Sequence, residues 1–163
     1  MRKIICGTGH RPNDLPPEYG YDYDSSGWQA IITKVKRIII KNNVEVVITG
    51  MALGFDTALA LAVLELKDEG NPVELWAYVP CKNQEKMWIA KSQELYQSIL
   101  QKCDKIKIIS EVYTRECMLE RNKRMVDDSR AVIALYNGKK YGGTYHCVNY
   151  AIQKNRKVLN LWK

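Results

Sequence analysis

RNKRMVDDSRAVIALYNGKKYGGTYHCVNYA, residues 121–151, is the stretch on which the reading of the whole chain turns. It begins as the end of a helix, passes through an apolar run of strand length (Ala131 to Tyr136), and reaches Gly142 and Gly143 where that strand would hand over to another helix. Glycine at such a junction tolerates positive φ and lets a ligand approach the backbone closely. Thr144 is placed to cap the new helix, whose first free N–H groups and positive dipole end then face the space above the sheet edge. Arg121 and Arg124 bring formal positive charge from the preceding helix. The combination predicts an anion site, and phosphate is the commonest biological anion such a site holds. A tight strand-to-helix turn would use the same glycines and threonine, so the motif needs support from elsewhere in the chain.

That support comes from two earlier segments with the same layout. Residues 2 to 6 form a short apolar strand that leads into Gly7-Thr8-Gly9-His10-Arg11. A strand entering G-x-G opens many nucleotide-binding α/β folds, although the full G-x-G-x-x-G fingerprint is missing here. His10 and Arg11 place two potential phosphate donors directly after the glycines. Val44 to Thr49 is a second strand, apolar enough to be buried on both faces, and it ends in Gly50-Met51-Ala52-Leu53-Gly54-Phe55-Asp56. Asp56 stands at the start of the next helix, either as a cap favoured by the dipole or as an acceptor for a ribose hydroxyl.

The remaining elements alternate in the same way. Trp28, Ile31, Ile32, Val35, Ile38 and Ile39 have helical spacing, and Phe55 to Glu69 is a helix apolar nearly all round, hence interior. Val73 to Val79 is a third strand, Gln84 to Cys103 a long helix carrying Trp88, Lys105 to Ser110 a fourth strand, and Glu116 to Asp128 a helix. A helix from the Gly142 turn to about Asn155 and a strand from Val158 to Leu161 complete the order. Between the first strand and the first helix, Asn13 to Gly27 is a loop rich in turn formers, in which Tyr19, Tyr21 or Tyr23 could stack on a base or pack on their own domain. Strict alternation implies a Rossmann-like, doubly wound α/β fold, a mostly parallel sheet with helices on both faces. Ligands of such sheets bind at the carboxyl ends of the strands, so the three glycine loops are expected to converge on one crevice.

Size and composition agree. A chain of 163 residues fits one domain, residues 1–163. Hydrophobic content of 46% and charged content of 26% are those of an ordinary globular protein, and no apolar run approaches the roughly 20 residues of a membrane span. The start, MRKIICGTGH, is too short in apolar residues for a secretory signal. Five scattered cysteines without a C-x-x-C pair, and only two histidines, argue against a disulfide framework or a metal site and for the cytoplasm. No cofactor is called for. The net charge of +7 favours an anionic partner, but its lysines are dispersed and lack the aromatic interleaving that grips a nucleic-acid strand.

GTGHRP, ITGMALGFD, PCKNQEKMW, RNKRMVDDS and YNGKKYGGT, taken in order, resemble the YpsA-like branch of the SLOG superfamily, across essentially the whole chain. That superfamily joins the DNA-processing Smf (DprA) proteins to the LOG phosphoribohydrolases. The resemblance implies a Rossmann-like fold and a site for nucleotide-derived ligands, including ones related to NAD or ADP-ribose. Arg121 and Met125 match the R-x-x-x-M motif of the LOG enzymes. Gly142, Gly143 and Thr144 match only part of their P-G-G-x-G-T-x-x-E loop, and Cys147 stands where those enzymes keep a catalytic glutamate. A neutral thiol neither positions water nor stabilises an oxocarbenium-like centre as a carboxylate does, so no catalytic residue is assigned.

The expected function is therefore a binding module, sensing or sequestering a nucleotide-like small molecule. Its expected ligand-binding residues are Gly7, Thr8, Gly9, His10, Arg11, Gly50, Gly54, Asp56, Trp88, Arg121, Gly142, Gly143 and Thr144. Trp88 or a loop tyrosine would take the base. The alternatives are a LOG-type nucleotide N-glycosidase using Asp56 as its carboxylate and, behind it, a nucleic-acid partner of the DprA type.

Overall fold

The apolar runs of the sequence become six parallel strands, and the amphipathic ones become five helices between them. The computed structural model describes residues 1–163. The strands are β1 (Ile4–Gly9), β2 (Val46–Thr49), β3 (Glu74–Cys81), β4 (Lys105–Ser110), β5 (Ala131–Leu135) and β6 (Lys157–Asn160). The helices are α1 (Ser26–Lys41), α2 (Phe55–Asp68), α3 (Ala90–Gln101), α4 (Cys117–Asp127) and α5 (Gly143–Gln153). The sheet order is β4-β3-β2-β1-β5-β6, with every neighbouring pair parallel. This is the Rossmann-like α/β fold that the alternation implies.

Two apolar layers hold the helices to the sheet. The larger lies under α1, α2 and α3 and contains Trp28, Phe55, Leu59, Leu75 and Ile99. Helix α2 packs between α1 and α3 as well as on the strands, which is why its sequence is apolar nearly all round. The smaller layer, under α4 and α5, contains Cys6, Val46, Ile48, Met125, Val132 and Cys147.

Among the boundaries that differ from the expectation, three bear on the site. β1 continues through Gly7-Thr8-Gly9 instead of ending at Cys6. The reason is packing: a Cβ on Gly9 would lie 2.5 Å from Phe55 Cβ, and one on Gly7 2.3 Å from Leu59 Cδ2, so the glycines let α2 close onto the strand. α3 starts at Ala90, because Asn83 adopts a left-handed φ of 58° and residues 82–89 form turns tied down by Gln84, whose amide donates to Gly50 O at 3.2 Å. β3 runs on through Pro80 to Cys81, beyond the last residue of β2 paired to it, where only one neighbour remains and a missing N–H is tolerated.

Candidate functional site

The order of the strands reverses at β1. From there the chain builds β2, β3 and β4 on one side, then crosses back to place β5 on the other. Between the carboxyl ends of β1 and β5 lies a crevice of about 230 Å³, at the point where open α/β sheets hold their ligands. β1 and the turn after it contribute Thr8, Gly9, His10, Arg11 and Asp14; the loop before α2 contributes Ala52 and the first turn of α2 contributes Asp56. Helix α4 adds Met118, Arg121, Asn122 and Met125, and the β5–α5 connection adds Asn137, Lys139, Tyr141, Gly142, Gly143 and Thr144.

The start of α5 is the open anion-binding feature. Gly142 occupies the N-cap position with φ 91° and ψ 176°, a conformation essentially confined to glycine. The bond from His146 N to Gly142 O (3.1 Å) closes the first turn, so the N–H groups of Gly143, Thr144 and Tyr145 precede the helical ladder. Thr144 lies inside the helix and does not cap it, contrary to the expectation; no side chain caps α5 at all. Asn122 anchors this end through its amide, which donates to Gly143 O at 3.3 Å.

The equivalent end of α2 is partly closed. Gly54 N donates to Tyr23 Oη (2.8 Å), Phe55 N to His10 O (3.2 Å), and Ala52 N to Asp56 Oδ2 (3.2 Å). In the second glycine loop the amides of Ala52, Gly54 and Phe55 are therefore already taken within the fold. Tyr23 is spent in this closure, and Tyr19 stacks edge-on against Trp28 with ring centroids 4.9 Å apart, so the early tyrosines pack on their own fold. Tyr21 is half exposed and donates to Asn13 Oδ1.

Arg121 is buried, with 5% of its surface exposed, and is already engaged. Its Nη1 donates to Gly50 O (2.6 Å) and to Tyr78 O (3.3 Å), and its Nε to Asn122 Oδ1 (2.9 Å). Gly50 has no side chain because Arg121 and Asp56 occupy that space: a Cβ there would lie 2.5 Å from Arg121 Nη1 and 2.9 Å from Asp56 Oδ2. Burial pushes the Asp56 carboxyl upward, against the pull of Arg121, the Ala52 N–H and Arg11. Burial likewise lowers Arg121, with Asp56 opposing. Arg121 is thus a strut of the crevice floor through Nε and Nη1, while its Nη2 makes no bond within the fold. Arg124 points away and pairs with Glu120 on the exposed face of α4.

His10 also does something other than expected. Its Nε2 accepts the backbone N–H of Asn137 at 3.0 Å, which requires a neutral ring protonated on Nδ1. Burial lowers its pKa further. It joins β1 to the loop after β5 and cannot donate from Nε2. The exposed cations left on the crevice are Arg11 and Lys139.

Of the expected residues, Thr8, Gly9, His10, Arg11, Asp56, Arg121, Gly142, Gly143 and Thr144 line this one space, while Gly7, Gly50, Gly54 and Trp88 do not. Gly7 lies within the sheet, Gly50 beneath Arg121, and Gly54 against His10 O. Trp88 packs edge-on against Tyr96 (5.3 Å) over the larger core. Cys147 is fully buried in the smaller core, where burial raises its thiol to about 11. Asn122, Asn137, Lys139 and Tyr141 were absent from the expected set. The run Asn137-Gly138-Lys139-Lys140-Tyr141 before the double glycine carried the signal: a basic and aromatic loop leading directly into a helix start.

The sequence model of the YspA SLOG family (YpsA) matches residues 5–161. The chain belongs to the YpsA SLOG family. The motif resemblance and the family model thus agree. The uncharacterized SPbeta prophage-derived protein YoqJ of Bacillus subtilis is 31% identical over 145 residues, covering 82% of this chain and 84% of that protein. A UPF0398 protein of Bacillus thuringiensis is 26% identical over 157 residues, covering 93% and 84%. A structure of DNA processing protein A from Helicobacter pylori, described for its single-stranded DNA binding mode, superposes with a TM-score of 0.64 at 18% identity. It covers 96% of this chain, which spans 63% of that one, and the likeness is one of fold. No helix of this family member is long and apolar enough to cross a membrane.

Proposed function

We propose that residues 1–163 act as one cytoplasmic domain that binds a nucleotide-derived small molecule in the switch-point crevice, as a sensor or sequestering protein. The observation that carries this is the uncapped start of α5, opening onto the crevice between β1 and β5 with Arg11 and Lys139 beside it. The phosphate sits on the N–H groups of Gly143 to Tyr145, where the helix dipole adds to the hydrogen bonds. Asp56, buried in the floor with Oδ2 held by Ala52 N, offers its other oxygen to a ribose hydroxyl. Tyr141, 68% exposed at the rim with Lys139 Nζ 5.9 Å from its ring centroid, takes the base in place of Trp88. Free thiols throughout are consistent with a reducing compartment.

Calorimetry with ADP-ribose, AMP and adenosine tests the reading. Adenosine is expected to bind clearly weakest, and Arg11→Ala or Lys139→Ala to weaken only the phosphorylated ligands, by roughly 1.5–3 kcal/mol as for a charge-assisted bond. Equal affinity for adenosine would sink the anion site. Asp56 is the acid of the crevice floor, so a hydrolytic reading predicts free base from AMP that disappears in Asp56→Asn. The net charge of +7 favours the nucleic-acid reading, which predicts that a single-stranded oligonucleotide outcompetes every mononucleotide.

A further inference from the structure

Parallel sheets are normally covered on both faces, because every strand in them is apolar on both sides. The β6 side of this sheet departs from that rule on one face. β6 packs on β5 and on α5, which lies over the side of the smaller core. On the opposite face, Leu159 is in register with Ile133, a residue of the larger core, and so points to the same side, yet it remains 42% exposed. Helix α1 borders this bare face without covering it. Between them runs an apolar groove of about 270 Å³, with Ile133 in its floor and Ile38 and Leu159 in its walls.

The rim of the groove is cationic. Lys3 precedes β1, Arg130 precedes β5, and Lys157 opens β6, so all three stand at the amino ends of the strands. No acidic residue lines the groove. The side chains of Arg130 and Lys157 make no ion pair, while Lys3 Nζ donates to the carbonyl of Asn42. This site lies at the edge of the sheet opposite the crevice and owes nothing to the nucleotide reading.

We propose that this groove docks an acidic amphipathic helix of a partner protein, which completes the helical layer over β6. What is left open is the face of β6 that carries Leu159, and the element that covers a sheet face in α/β folds is a helix. The apolar floor calls for apolar side chains at i, i+3 or i+4, and i+7, and the three cations call for Glu or Asp flanking that stripe. A second copy of this chain is the wrong partner: an isologous contact would set the three cations against themselves on a surface of net charge +7.

The test uses a fluorescein-labelled peptide of roughly 18 residues, about five helical turns, with leucine on the stripe and glutamate elsewhere. Its controls are a scrambled peptide of the same composition and a striped peptide with lysine in place of glutamate. Fluorescence anisotropy is expected to show saturable binding of the acidic striped peptide, with both controls weaker by at least about tenfold. Leu159→Asp and the double variant Arg130→Glu/Lys157→Glu should each reduce binding by about tenfold or more, while Arg11→Ala at the other sheet edge leaves it unchanged. Thermal melts accompany the variants; Arg130 and Lys157 are exposed, so the charge reversal decides the matter even if Leu159→Asp unfolds. Equal binding of the scrambled peptide, or no loss in the charge reversal, would overturn the proposal. So would self-association in sedimentation that Leu159→Asp abolishes, which would make the occupant a second copy, or phosphatidylserine vesicles binding more tightly than the striped peptide, which would make it a membrane surface.

Discussion

Replacing Arg121 by methionine asks whether the floor of the crevice is held together by a buried cation. Methionine keeps most of the side chain's length while removing the bonds to Gly50 O, Tyr78 O and Asn122 Oδ1 and the countercharge of Asp56. Gly50 O retains Gln84 as a donor at 3.2 Å, and removing the guanidinium relieves its own desolvation; both offset part of the loss. Bonds to a charged group contribute about 1.5–3 kcal/mol each, and removing one partner of a buried ionic arrangement costs about 3–5 kcal/mol. For a chain of this size each kcal/mol moves the melting temperature by about 2–4 °C, so Arg121→Met should melt about 6–20 °C lower. Urea unfolding followed by circular dichroism measures the free energy directly.

The pH dependence separates lost charge from lost hydrogen bonds. The folded pKa of Asp56 is raised above its unfolded value by burial, so its contribution to stability is complete below the unfolded value and is lost as pH rises through the folded one. Without Arg121 the folded pKa climbs further. The deficit of Arg121→Met should therefore be larger at about pH 7 than at about pH 5. A deficit below about 1 kcal/mol at neutral pH, less than a single charge-assisted bond, or one indifferent to pH, would refute the assignment of Arg121 as strut and countercharge.

Three further outcomes are expected. Gly142→Ala forces a side chain into φ 91°, ψ 176° and should cost about 1–3 kcal/mol together with most of the affinity for phosphorylated ligands; an unchanged melt would show that the loop relaxes. The His10 pKa is lowered by burial, so the stability it contributes is present above its unfolded value of 6.5 and is lost as pH falls through the folded one; nitrogen NMR should find a neutral Nδ1–H ring that resists charging, and a ring already cationic at 6.5 would contradict the bond to Asn137. Cys147→Glu should unfold the protein, because a buried carboxylate without a partner costs several kcal/mol; a folded variant that releases base from AMP would mean that this position opens to the crevice.

The strand and helix order was legible in the residues because it is written in local periodicity. Apolar runs such as Val46 to Thr49 and Ala131 to Leu135, spaced by amphipathic helices, admit little besides a parallel sheet, and glycines at the ends of β2 and β5 marked the functional edge. The same local signal placed Gly142, Gly143 and Arg11 on the crevice. What the residues alone could not decide was which polar groups remain free once the chain has closed on itself. Gly54 and Gly142 look alike in sequence, yet the amides of Ala52, Gly54 and Phe55 are consumed by Asp56, Tyr23 and the His10 carbonyl, contacts brought from up to 45 positions away. Arg121 reads as a free cation until the fold wraps Gly50, Tyr78 and Asn122 around it, and Trp88 reads as a base platform until Tyr96 and the larger core take its ring. A hydrogen-bonding group or ring is available to a ligand only if no nearer partner satisfies it first, and the nearer partners here are distant in sequence, so only the tertiary structure could choose among them.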